Sequence, residues 1–247
     1  MTEKQKYPVL YRNPRVLNKT AHAKKKIDKS VGFGFASRTI AVPAMTTEFA
    51  KLIEAFPIVF AENDENSALV LMGIRTNQNL FISKSGEWQN STYIPSYLRR
   101  YPFILAGAKE DRFALSVDEE APHFSSKTGA PIYENGEASE FVKEALAICE
   151  DFHRNYLSTK AFTNALHEKG LLKSVKVDFK IPGMSKAALH GFKMVDEAKL
   201  KSLDDKTVLN WWKKGWLSLI DLHLASLSNL KYFLRLEADK RPANQAA

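Results

Sequence analysis

The sequence predicts an α+β fold with a mainly antiparallel sheet in its N-terminal half, packed helices after it, and a C-terminal helical hairpin. Short β-branched and aromatic runs between residues 58 and 117 are separated by turn-rich pieces too brief for the helical crossovers that parallel strands need. From about Glu137 the apolar spacing changes from two to three or four, the period of a helix. No run approaches the roughly 18 apolar residues of a membrane span. A chain of 247 residues, 45% hydrophobic and 26% charged, can bury a substantial core.

The elements follow in order. Residues 1–30 read as a basic, solvated arm: ten Lys and Arg before residue 39 face only Glu3 and Asp28, which accounts for the whole formal charge of +8. Lys24, Lys25, Lys26 and Lys29 would attract phosphate, but only Tyr7 and Tyr11 offer stacking and no nucleic-acid motif is present, so nucleic acid is disfavoured as a partner. Residues 31–237 are expected to form one domain. A strand is expected over 33–42, then a helix carrying Phe49, Leu52, Ile53 and Phe56 that Pro57 stops. Strands are expected at 58–61, 68–74, 80–83, 103–106 and 112–117. Phe141, Ala145, Ile148, Phe152 and Tyr156 mark one helix, and 159–169 a second, closed by Gly170. Val175, Val177 and Phe179 alternate with polar residues as in a half-buried strand, ahead of a Pro182–Gly183 turn. Asp204 or Asp205 can cap a helix through Val208, Leu209 and Trp212 to Gly215. A longer helix then places Ile220, Leu224, Leu227, Leu230 and Leu234 on one stripe, and 238–247 frays.

Chemistry is sparse. The histidines are scattered without an HExxH or facial-triad seed, no GxSxG elbow occurs, and Cys149 sits among apolar neighbours as a core thiol. No metal, cofactor or catalytic residue is therefore expected. Gly32-Phe33-Gly34-Phe35 is a weak match to a dinucleotide fingerprint. The first thirteen residues contain no apolar secretory core, so the default compartment is the cytoplasm. Two features stand out. Arg99 and Arg100, flanked by Tyr97 and Tyr101 and framed by Pro95 and Pro102, suit capture of a carboxylate or phosphate. The alternative is an internal salt bridge to the acidic segment 118–120. Trp211, Trp212 and Trp216 cannot all face one helical stripe, so at least one is expected to lie outward.

Trp88 followed by Tyr93-Ile94-Pro95-Ser96-Tyr97-Leu98-Arg99-Arg100-Tyr101-Pro102-Phe103 resembles the signature of the SapC family. Three weaker blocks agree: Pro43, Glu48 and Phe49 with Pro57-Ile58-Val59-Phe60; the run from Gly129 to Phe141; and Gly215, Leu217, His223, Leu224, Ser226, Leu227 and Asn229. The resemblance implies a bacterial protein associated with a paracrystalline surface layer, and carries no known reaction or catalytic residues. The reading is a non-enzymatic accessory factor that binds a protein or peptide and serves surface-layer or envelope processes. Trp88, Tyr93, Tyr97, Arg99, Arg100, Tyr101, Trp211 and Trp212 are the candidate contacts. The alternative is an enzyme for an anionic substrate, assembled around Arg99 and Arg100. A cavity holding these arginines with histidine or carboxylate groups would favour the enzyme; a filled core and a flat exposed patch would favour binding.

Overall fold

Short strands persist only when their edges are paired or covered. In the computed structural model, which describes residues 7–63, 67–89, 91–107, 113–179 and 187–239, the named strands pair antiparallel throughout. The fold is α+β. The described residues form two compact units. The first comprises the chain up to Ser37, Ile82–Trp88 and Ser96–Arg154; the second comprises Arg38–Phe81, Gln89–Pro95 and the chain from Asn155 on.

In the first unit, Pro14–Val16 pairs with Phe113–Asp118, which pairs in turn with Phe103–Gly107. A smaller sheet sets Lys26–Ile27 between Phe124–Ser125 and Ala130–Pro131. Gly129 precedes the last of these strands with φ at +107°, and a Cβ there would collide with the Ile27 carbonyl, so this turn accepts only glycine. The core gathers Ile27, Phe103, Val117 and Ile132 against Val142, Ala145 and Cys149 of the helix Glu140–Glu168. Within its described part, the stretch expected to be a solvated arm departs from that expectation. Tyr11 is buried and its hydroxyl donates to the Phe103 carbonyl at 2.7 Å, while Leu17 packs on the core. Net charge misleads here because Lys24 and Lys29 stay exposed while Tyr11 and Ile27 turn inward. Residues 1–6 of the arm, the Pro182–Gly183 turn and 240–247 of the tail lie outside the described residues.

The second unit holds a five-stranded sheet in the order Leu172–Phe179, Ala187–Val195, Ile58–Ala61, Ala68–Leu71, Ala41–Pro43. A bulge between Val175 and Val177 interrupts its outer pair. Both apolar runs at 58–61 and 68–71 are almost wholly buried, as central strands covered on both faces must be. Phe162 contacts the rings of Phe49 and Phe60, and Phe81 those of Phe56 and Phe233.

Other expectations change too. Residues 140–168 form one uninterrupted helix, because nothing in the Tyr156-Leu157-Ser158-Thr159 stretch breaks it; Gly170, at φ +63°, closes it as expected. The strand expected over 33–42 is reduced to Ala41–Pro43, and Gly34–Ala36 is a 3-10 turn held by Phe33 N–H to the Gly86 carbonyl. The strand at 80–83 survives only as an Ile82–Trp88 bridge.

At the C-terminal end Asp204 caps Asp205–Lys213, its carboxylate accepting from the Thr207 amide at 2.9 Å and lowered to a pKa of about 2, first by its bond from the Thr207 hydroxyl. The stripe expected along one long helix is broken after Leu227 into Trp216–Ser226 and Asn229–Asp239, a helical hairpin. Ile220, His223, Ser226 and Phe233 are buried, whereas Leu224, Leu227, Leu230 and Leu234 are only half-buried. The inward face is thus one position away from the leucine stripe, because polar side chains are drawn in to bond backbone. No helix among the described residues is long and apolar enough to cross a membrane.

Candidate functional site

Within the first unit the two arginines, at the end of the single helical turn Ser96–Arg99, are placed differently. Arg99 is exposed. Arg100 folds back between rings, with its guanidinium 3.9 Å from the Phe152 centroid, 4.5 Å from Tyr97 and 5.7 Å from Tyr11. The tyrosines are held in turn: Tyr97 donates to the Val9 carbonyl at 2.6 Å and Tyr101 to Asp118 at 3.2 Å. Burial raises the pKa of both, so both hydroxyls stay protonated.

The internal salt bridge weighed for these arginines is not the bond Asp118 makes. Its buried carboxylate accepts the amides of Arg12, Asn13 and Glu120 at 3.0, 2.8 and 3.2 Å, besides the Tyr101 hydroxyl. Glu119 meets His22 at 3.1 Å. Asp118 and Glu119 are thus engaged by backbone, tyrosine and histidine, while Arg100 sits in its aromatic cage.

Both arginines line a cavity of about 310 Å³. Its inner wall is apolar, formed by Ile27, Leu98, Phe103 and Ala145, all buried, with Phe33, Phe35, Tyr101 and Phe141 around them. Exposed Lys29, Arg99, Glu144 and Ile148 lie at its mouth, the Lys29 ammonium 4.2 Å from the Phe141 ring centroid. Phe35 stacks on Tyr101 at 4.4 Å between centroids, and His123 meets both rings edge-on at 5.2 and 5.5 Å. His123 is 8% exposed, and burial lowers its pKa to about 4, with Asp28 opposing weakly. The imidazole is therefore neutral at pH 7. Two buried atoms of cavity-lining residues, Arg100 Nε and His123 Nδ1, have no hydrogen-bond partner among the described residues. Leaving such groups unpaired is costly, and a ligand acceptor facing Arg100 would relieve it.

The sequence candidates divide. Tyr97, Arg99, Arg100 and Tyr101 belong to this site, and Trp88 supports it from behind, its ring 5.5 Å from Phe33. Tyr93 belongs to the second unit, where its hydroxyl donates to Glu48 at 3.0 Å. Trp211 is buried edge-on against Trp216 at 5.7 Å, so it offers no surface; Trp212, 68% exposed, does. Sequence reasoning missed His123, Lys29, Phe33, Phe35 and Phe141. The Gly-Phe-Gly-Phe run carried a usable signal, since its 3-10 turn brings both phenylalanines to one cavity. Cys149 lies in the core beneath, burial raising its thiol pKa to about 11. Among the described residues, no three His, Cys, Asp or Glu side chains converge as a metal ion requires.

A family model described as SapC matches residues 17–233. Neither the curated proteins nor the solved structures contain a significant match to the chain.

Proposed function

The chain belongs to the SapC family, and on that footing we propose that it is a non-enzymatic binding factor whose first-unit cavity recognises an acidic peptide end with an apolar side chain. The observation that carries this reading is the placement of Arg99 and Arg100, one with an unpartnered buried Nε, on a cavity whose inner wall is mainly aromatic and aliphatic. A carboxylate would meet the guanidinium groups, and a volume of about 310 Å³ takes one or two side chains of a peptide and little more. The surface-layer association that the resemblance implies supports a protein of the cell envelope as the source of that peptide, met in the cytoplasm.

The enzymatic alternative draws on the same cavity, because His123 and Glu144 accompany the arginines. Acid–base catalysis works best with a pKa near the working pH, and a histidine near 4 is a feeble base at neutrality. Glu144 is exposed and the thiol is buried and protonated, so the groups present suit binding better than turnover.

Calorimetric titration with short peptides ending in Phe, as free acids and as C-terminal amides, tests the proposal. The acids should bind, and amidation or Arg100→Ala should each weaken binding about 10- to 100-fold, the value of a charge-assisted bond. Equal binding of acid and amide, or no heat with either, would overturn it.

A further inference from the structure

The helix Asp205–Lys213 turns Trp211 into the core of the second unit, and that orientation decides where its other residues go. At 100° per residue Val208, Leu209 and Trp212 share one arc. They are 37%, 55% and 68% exposed, an apolar ridge on a nine-residue helix. Lys206 and Lys213 flank this ridge on one side. There, with Leu209, Asn210 and Lys214, they line a shallow cleft of about 390 Å³. Lys214 also lies over the Trp216 ring, 4.4 Å from its centroid. Of the nearby acids, Asp204 is committed to the cap and to Lys169 at 3.5 Å, while Asp205 stands at the N-terminal end of the ridge.

We infer that this ridge and its lysine cleft form a docking face for an anionic lipid bilayer. Trp212 and Leu209 would enter the boundary between headgroups and acyl chains, where an indole is favoured, and Lys206, Lys213 and Lys214 would meet phosphates. The ridge is convex and short, so a rigid partner would need a matching groove edged with acids. A bilayer offers apolar depth and negative charge together and needs no such fit. Three apolar side chains and a few lysines give weak, reversible and salt-sensitive attachment. The inference does not depend on the cavity of the first unit.

Vesicle co-sedimentation of the full chain tests it, with phosphatidylcholine alone and with phosphatidylcholine mixed with phosphatidylglycerol. Binding is expected only to the mixed vesicles, falling steeply as salt rises. Leu209→Ser with Trp212→Ser, and separately Lys206→Glu with Lys213→Glu, should each lower it about tenfold or more. All four positions are exposed, so an unchanged thermal midpoint will certify the fold of each variant. Three outcomes would overturn the inference. One is no binding to mixed vesicles. Another is binding that survives both helix variants and vanishes instead with Lys24→Glu and Lys25→Glu, which would assign it to the basic N-terminal segment. The third is a dimer dissolved by Trp212→Ser with vesicle binding untouched, which would make a second copy the occupant.

Discussion

His223 donates its Nδ1 proton to the carbonyl of Ile58 at 2.8 Å, inside the core of the second unit. Its Nε2 accepts the Val195 amide at 3.1 Å, and Ser226 accepts the Ile58 amide at 2.9 Å. One helix turn thus satisfies backbone groups on two neighbouring strands that their ladder does not. Asn229 donates to the Ile53 and Phe56 carbonyls in the turn that leads into the Ile58–Ala61 strand. Replacing His223 by Ala would leave a buried carbonyl and a buried amide unpaired, at about 1–3 kcal/mol each. Urea denaturation should show a loss of about 2–5 kcal/mol; a loss below 1 kcal/mol would mean that these groups find other partners.

The same histidine makes stability depend on pH. Burial lowers its pKa to about 4, against roughly 6.5 in an unfolded chain. Above pH 6.5 it is neutral in both states and contributes no slope. Between pH 6.5 and 4 the unfolded chain takes up the proton first, so the folded state loses up to about 3 kcal/mol as pH falls. His123 acts in the same direction over the same range. Denaturation midpoints measured from pH 7.5 to 4 should fall through this window, and His223→Ala should flatten the fall.

Asp118, outside the signature run, should matter more to stability than Arg100 within it. Asp118→Ala strands three backbone amides and the Tyr101 hydroxyl and should cost about 3–5 kcal/mol. Arg100→Ala removes a half-buried cation from an aromatic cage and should cost about 1–2 kcal/mol. Chemical denaturation of both variants gives the comparison, and a larger loss for Arg100→Ala would show that it is locked in place by more than rings.

Deleting residues 1–30 should remove the fold of the first unit, since that segment supplies Tyr11, two strands and Ile27. Near-ultraviolet circular dichroism should lose most of the tyrosine signal of the cavity wall. A truncated chain with an unchanged spectrum would restore the arm to a solvated role.

Two adjacent tryptophans give the sharpest contrast. Trp211→Ala should cost about 3–5 kcal/mol, as truncation of a buried aromatic does, and Trp212→Ala less than about 0.5 kcal/mol. Equal effects in guanidinium titrations would refute the assigned orientation.

The fold class was legible because hairpin spacing and helical period are local properties of the chain, as at 58–61, 68–71 and 172–179. Arg99, Arg100 and Tyr101 were legible through an unusual run of residues. Their surroundings were not: His123, Lys29 and Phe35 come from distant segments, and only tertiary packing gathers them on one cavity with Tyr101. The closing helices misled for a related reason. A leucine stripe reads as the inward face, yet His223 and Ser226 take inward positions because unpaired strand ends outbid apolar area there.

The outermost strand of the five-stranded sheet, Leu172–Phe179, has a further consequence. An eight-residue open edge is a template on which another copy could grow a β-ladder, the first step towards aggregation. Here exposed Lys173, Lys176 and Asp178 place charge along it, and the extra residue that the partner strand carries between Leu189 and Phe192 adds local twist to the pair. An incoming strand would have to set its own side chains beside those charges on a twisted edge. The polar positions that alternate along this strand thus also guard it against pairing with a second copy.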